Sequence, residues 1–468
     1  MDGWAYFEMC HAVVPHGRSK RNLALITKAL LENAGSSFSA AVGHAGRQAA
    51  SRLFSNLKTQ VADLMKGHGI RTCMRCSSYP VVLVAQDMTV VDLSGHTATA
   101  GLGPINSGKN ACGLLAHSGY AMSPKGLPLG VPYLKVWARN PEEKGSKKDR
   151  RDKPIEEKES NKWLEGLRGI EEALADHLSI GKRIIVIADR EADIFEYMTA
   201  PRHANTDLLI RATSARNVEV VGPPVKTRTG KMVAAGTASL LESIAGSPVL
   251  GEVVVSVPRK GNSPERSATL ELRAGTVSIL PPVNGVKKAA AKPQTMTVVQ
   301  ARERTQSEEG EAISWTLLTT LPVQDAAAAM RMVEYYTRRW GIERLHYTLK
   351  SGLQIERLQF DDAHSLSNAL AIYWIVAWRI MHLTYVARED PTSPAHWVLE
   401  KDELTVLALK EGKSVKTAHE AITAIAKLGG YRPTPKGLPP GVKVLWIGIR
   451  KLEAMVEGWK LATQMTKE

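Results

Sequence analysis

The sequence predicts an α/β protein with helical ends. Two unbroken apolar runs, VVLVA at 81–85 and IIVIA at 184–188, read as strands buried on both faces, as in an open α/β sheet. The segments before residue 79 and after residue 363 space their apolar residues as helices do. Between 207 and 320 the pattern turns to short alternating runs punctuated by Gly, Pro and Asn, which reads as antiparallel strands.

Taken in order, residues 1–78 are helical and basic. SKRNLALITKALLENAG aligns Leu23, Ile26, Leu30 and Leu31, with Gly35 as the stop. RQAASRLFSNLKTQVADLMKG reads as a second helical stretch, and Arg47, Arg52, Lys58 and Lys66 give this region a positive face. Each buried run is followed almost at once by an aspartate, Asp87 or Asp189, at the carboxyl end of a strand, where open α/β sheets bind ligands. Residues 142–159 are mostly charged and read as a solvated loop or disordered insertion. Residues 207–322 form a β-rich insertion that includes DLLIRA, ATLELRA, MTVVQARE and SWTLLTT. The helical period returns near Ala326 and is expected to run beyond Lys350. The tail from 363 to 468 is helical and carries Trp374, Trp378, Trp397, Trp446 and Trp459. The expected division is therefore 1–78, 79–206, 207–322, 323–362 and 363–468.

The chain has 468 residues, enough for about three domains. With 44% hydrophobic residues it can bury a large core, which excludes wholesale disorder. Lys and Arg number 61 against 47 Asp and Glu, a net charge of +14 that points to a polyanionic partner such as nucleic acid. A basic, solvated surface would give the same sum. The longest apolar run, Ala369 to Trp378, stops at Arg379, short of the roughly 18–20 residues a membrane span needs. The start, MDGWAYFEMCHAVV, has early acids and no basic lead, so no signal peptide is expected. Four cysteines are too few for a disulfide scaffold, which suits a reducing cytoplasm.

The chemistry concentrates in YTRRWGIERLHYTLK, residues 336–350. On one continuous helix, Tyr336, Arg339, Glu343 and Lys350 would share a stripe about 60° wide. An exposed face with i,i+4 ion pairs would look the same. Two aspartates at strand ends plus a glutamate on a later helix add something further. Three carboxylates can hold two divalent ions, and hard oxygen donors suit Mg²⁺ bound to phosphates. Nearby Arg and Lys would clamp a phosphodiester backbone.

ADREADIFEYM at 188–198 and the Y-x2-R-x3-E-x6-K stretch together resemble the cut-and-paste DNA transposases with a DDE triad. Within them they resemble the insertion-sequence-four family, which carries a Y-R-E-K signature. The resemblance runs on through LGGY at 428–431 and GW at 458–459. It implies a ribonuclease-H-like α/β core, interrupted by a β-rich insertion before the glutamate helix. It places the catalytic and metal-binding triad on Asp87, Asp189 and Glu343, with two Mg²⁺ ions for which Mn²⁺ can substitute. It assigns DNA contacts to Tyr336, Arg339 and Lys350. Trp315 and Arg211 match a pocket for a base flipped out of the duplex; such a base needs a π-face and a cation. Strand packing is the alternative role for Trp315.

The implied reaction is nicking by water at each element end, hairpin formation by the freed 3′-hydroxyl, hairpin opening, and strand transfer into target DNA. The implied partners are double-stranded DNA, as terminal inverted repeats and target, and a second protomer bound through the C-terminal helices in a synaptic complex. The implied setting is a bacterial cytoplasm and its nucleoid. The basic N-terminal helices would read the element end. No individual residue there is carried over, because the stretch before Asp87 is shorter than the family pattern.

Other signals point less far. GPINSGKN at 103–110 nearly spells a phosphate-binding loop, but Asn110 replaces the Ser or Thr that would bind Mg²⁺; Lys109 meets DNA or only water. Cys73-x2-Cys76 is half a zinc site with no second pair, so a structural role is expected. His346 lies three residues after Glu343 and reads as a satisfied helix histidine or a phosphate contact. Gly341, inside the signature helix, costs about 1 kcal/mol against Ala and leaves room for DNA to approach. Two rivals share these residues: a nuclease that cuts without joining, and a catalytically weak DNA-binding inhibitor of transposition.

Overall fold

The computed structural model describes the chain except residues 1–2, 106–109, 142–152, 176, 179–180, 214–215, 221–224, 227–231, 234–236, 258–265, 282–291, 305–311, 434–438 and 466–468. Lys109 and most of the charged stretch after 142 thus lie outside the described residues. In chain order the longer elements are α1 (Gly17–Glu32), α2 (Phe38–Phe54), α3 (Val61–Cys76), β1 (Val81–Asp92), β2 (Cys112–Met122), β3 (Pro128–Trp137), α4 (Asn161–Leu174), β4 (Arg183–Ala188) and β5 (Thr206–Arg211). There follow β6 (Asn217–Val220), β7 (Gly251–Val257), β8 (Arg266–Ile279), β9 (Gln294–Glu303), β10 (Ser314–Thr319), α5 (Ala326–Thr337) and α6 (Trp340–Tyr347). The chain ends in α7 (Ala363–Glu389), α8 (Lys401–Glu411), α9 (Ala418–Leu428) and α10 (Val442–Met465). They form two compact units. One holds Met1–Tyr79, Met88–Glu143 and Gly341–Glu468; the other holds Pro80–Asp87 and Lys144–Trp340.

The Pro80–Asp87 and Lys144–Trp340 unit is built on a sheet. The two apolar runs lie side by side: β1 pairs with β4 in parallel, Val81 opposite Arg183 and Ala85 opposite Ile187. Parallel β5 follows, and then β10, β9 and β8 continue the sheet antiparallel, with β6 and β7 both paired to β8. The alternating strands of the insertion therefore extend the core sheet. Alternate residues of these strands, among them Leu83, Ile185, Ile187, Leu209 and Leu317, bury one face against Ala329, Met332, Val333 and Tyr336 of α5. That i, i+3, i+4, i+7 spacing is one helical stripe. Asp325 caps the helix, its carboxylate accepting from the Ala328 amide. On α4, Trp163 packs edge-on to Tyr197 at 6.2 Å between ring centres.

In the other unit, α7 is almost wholly buried, with Tyr373, Trp374 and Trp378 each 2% exposed or less. It is long and apolar enough to cross a membrane by length and composition, although no single apolar run within it is. It is a core helix, since 89% of its most apolar window is covered by protein. A buried polar cluster sits beside it. The Val131 amide donates to His68 Nε2 at 2.9 Å, so the ring proton is on Nδ1, 2.6 Å from a Glu8 oxygen. Arg75 also bonds Glu8, at 2.6 Å, and lies over the Trp378 ring. Burial pushes the Glu8 carboxyl up, but Arg75 and His68 outweigh it and hold it at about 2.

Two helical readings are corrected. The second N-terminal stretch is two helices, α2 and α3. Asn56 turns the chain between them, its side chain accepting from the Lys58 amide and its carbonyl from the Thr59 amide. Helix α2 is itself kinked at Gly43, whose φ of 64° suits a residue without a Cβ. The helix expected to run from Ala326 past Lys350 breaks after Thr337, restarts at Trp340 and ends in a π-helical turn, Thr348–Gly352.

Candidate active site

The strand register assembles much of the predicted site within the Pro80–Asp87 and Lys144–Trp340 unit. Ala85 faces Ile187 and Ala188 faces Ile210, so the register carried past these pairs sets Asp87, Asp189 and Arg211 at one level on three neighbouring parallel strands. Asp87 lies within β1, which runs on to Asp92, and not at its carboxyl end as the sequence suggested. Neighbouring strands lie about 4.8 Å apart, which sets two carboxylates and a guanidinium side by side. Side chains alternate, so all three share the face of Leu83, Ile187 and Leu209, the face that α5 covers. Arg211 is in turn opposite Leu317, and Trp315, two residues back along β10, lies on the same face.

Helix α5 brings the rest. Tyr336, in its last turn, is 5% exposed and meets Trp315 edge to face, 5.5 Å between ring centres. Burial pushes the Tyr336 phenol above its ordinary range against the pull of Arg339 and Arg211, so it stays a hydroxyl that can donate. At the break after α5, Arg339 places Nη1 3.4 Å from Asp87 Oδ2. Asp189 caps a short 3-10 turn, Arg190–Ala192, its Oδ1 accepting from the Glu191 amide at 2.9 Å. Arg211 Nε is buried without a hydrogen-bond partner among the described residues, a cation edge suited to an oxyanion.

Six of the eight predicted residues, Asp87, Asp189, Arg211, Trp315, Tyr336 and Arg339, thus belong to one unit. Glu343, on α6, and Lys350, in the π-helical turn, belong to the other. Lys350 is ion-paired there with Glu356 at 3.2 Å, and Glu356 also accepts from the Asp92 amide. The continuous helix expected to carry the four signature residues is interrupted at Arg338–Arg339 and again at the π turn. Among the described residues no three His, Cys, Asp or Glu side chains are gathered to hold a metal ion. Asp87 and Asp189 remain hard-oxygen donors of the kind a divalent cation takes.

Several other residues now have places. A Cβ on Gly341 would come 2.7 Å from Met122 Sδ, so its missing side chain makes room for the protein's own packing. His346 is buried. Burial pushes the Cys76 thiol up to about 12 and raises that of Cys73, which leaves both as protonated, structural thiols. Sequence reasoning missed Asp193 and Arg216. The only trace was a second aspartate four residues after Asp189 in ADREAD, and spacing does not reveal which aspartate is tied into the protein.

Residues 167–378 match the family model described as "Transposase DDE domain". Residues 375–467 match the one described as "Transposase Tn5 dimerisation domain". These matches make the chain a DDE transposase, with a ribonuclease-H-like core. Because the two matches overlap at 375–378 and together span residues 167–467, the protein belongs to the Tn5-like DDE transposases. Among solved structures, a piggyBac transposase synaptic complex with hairpin DNA is similar over 80% of this chain at 9% identity and a TM-score of 0.31, too slight a likeness to carry an argument. The chain spans 56% of that protein's length.

Proposed function

We propose that the protein excises a mobile DNA element and joins it to target DNA through successive displacements at phosphorus. The observation that carries this is the row formed by Asp87 within β1, Asp189 just past the end of β4 and Arg211 at the end of β5, bordered by Arg339 and Tyr336. In this reading Asp87, Asp189 and Glu343 hold two Mg²⁺ ions, or Mn²⁺ in their place. Bound there, such ions supply charge for the attacking and leaving oxygens of an in-line displacement. Arg211, Arg339 and Lys350 bind the phosphates flanking the scissile bond, and the Tyr336 hydroxyl donates to a phosphate oxygen. Trp315 offers its face to an extruded base. One set of residues then serves nicking, hairpin formation, hairpin opening and strand transfer.

Residues 1–78 read the terminal inverted repeats, and 363–468 join two protomers so that both ends are processed together. The cell is bacterial and the work is done in the cytoplasm at the nucleoid. The test is a short duplex carrying the inverted repeats that flank the coding region, incubated with Mg²⁺. Asp189→Ala and Asp87→Ala are each expected to abolish nicking and hairpin formation while the duplex is still bound. Undiminished nicking by Asp189→Ala would refute the assignment.

A further inference from the structure

The ADREAD segment holds two aspartates, and the structure treats them oppositely. Asp189 spends one oxygen on the Glu191 amide. Asp193 spends both. Its Oδ1 accepts from Arg216 Nε at 2.6 Å and its Oδ2 from the Thr213 amide at 2.8 Å, and its side chain is 5% exposed. Arg216 Nη2 also donates to the Asp193 carbonyl at 2.7 Å. Both oxygens of Asp193 therefore face donors of the protein itself.

What it holds is informative. On one side, the Asp193 amide closes the 3-10 turn onto the Arg190 carbonyl, and the Ala192 amide bonds the Asp189 carbonyl, so the turn that aims Asp189 ends at Asp193. On the other side, Thr213 lies two residues after Arg211, and Arg216 closes a turn back onto the Thr213 carbonyl. One buried carboxylate therefore ties the end of β4 to the end of β5. Those are the two strand ends that carry Asp189 and Arg211. A second tie holds the outer side of the turn, where Lys162 reaches the Glu191 carboxylate at 3.3 Å.

We infer that Asp193, through Arg216 and the Thr213 amide, is a positioning residue that fixes Asp189 against Arg211 for cation and phosphate binding. The inference rests on the proposed role of Asp189. Outer residues that orient a ligand typically change metal affinity by about 10–100-fold when altered. A residue that served stability alone would not move that quantity in a folded variant.

The experiment is Mn²⁺ titration of the full chain without DNA, read by electron paramagnetic resonance, with circular dichroism to confirm the fold. Asp193→Asn places an amide group against one of two donors. It should weaken Mn²⁺ binding about tenfold or more, and lower the turnover of nicking without changing KM for the duplex. Arg216→Lys keeps the charge but loses the fork, and should shift Mn²⁺ binding the same way; it serves if Asp193→Asn does not fold. A double variant no weaker than the stronger single one would show that the two residues act together. Unchanged Mn²⁺ affinity in a folded Asp193→Asn or Arg216→Lys protein, with Asp189→Ala losing the ion, overturns the positioning role alone. Full Mn²⁺ binding by Asp189→Ala overturns the proposed metal site and this inference with it.

Discussion

Replacing Gly341 by Ala puts two effects of known size in opposition. In an open helix the change stabilises by about 1 kcal/mol. Here the new methyl would meet Met122 Sδ at 2.7 Å and Tyr120 Cε1 at 3.3 Å. Both neighbours are shut in, Met122 at 1% exposure and Tyr120 at 0%. The sulfur lies mid-chain in Met122, so it cannot step aside as a flexible tip would. Overpacking of this kind costs about 1–3 kcal/mol. Crowding should therefore win, for a net loss of up to about 2 kcal/mol. The assay is thermal melting of Gly341→Ala alone and in a Met122→Ala background, where the obstruction is gone. The substitution should lower the melting temperature in the first case and raise it or leave it unchanged in the second. Nicking should fall with the single variant, since α6 carries Glu343 two residues on, and misplacement by about 1 Å can cost 100-fold. A higher melting temperature for Gly341→Ala in the otherwise unaltered protein would refute the packing argument.

Burial, reinforced by Glu403, pushes the Glu453 carboxyl from its ordinary 4.5 up to about 9. Between those values the folded chain holds a proton that the unfolded chain has released, so stability falls as pH rises through that window, by up to about 1.4 kcal/mol per pH unit. Glu453→Gln should leave melting unchanged near pH 4 and raise it increasingly toward pH 9; a constant offset at all pH values would contradict the raised pKa. Trp315→Ala should spare the first nick and slow hairpin closure by about tenfold or more, in keeping with about 1–3 kcal/mol per stacked base. Trp315→Phe should restore most of it. Equal losses in both steps would mean that Trp315 serves only to pack Tyr336.

The parts legible in the sequence were those whose cause is local. VVLVA and IIVIA are strands because β-branched runs with no polar face have few other homes, and each is followed within two residues by an aspartate, although the first strand runs on past Asp87 to Asp92. What the sequence did not show is set by contacts between distant residues. The row of Asp87, Asp189 and Arg211 depends on two strand pairings, one of them between strands about a hundred residues apart, as the register of Ala85 with Ile187 records. The break at Arg338–Arg339 was equally hidden, since the apolar spacing continues through it. Its amides bond three residues back, Arg338 to Tyr335 and Arg339 to Tyr336, which tightens the chain there into a 3-10-like turn. Gly341 read as space for a ligand, because the close approach of Met122 is a fact about β2 and cannot be inferred from neighbouring residues.

The pairing of β10 with β5 bears on how such a protein could be shortened. Leu317, Leu318 and Thr319 are bonded to Arg211, Ile210 and Leu209, so the last strand of the insertion is the covering strand for the core's own margin. Excising the insertion through that strand would bare a row of amides and carbonyls along β5, an invitation to aggregate. It would take Trp315 with it as well. A trimmed catalytic fragment would therefore have to keep β10, together with the residues through Arg216 that hold Asp193, joined by a short connection.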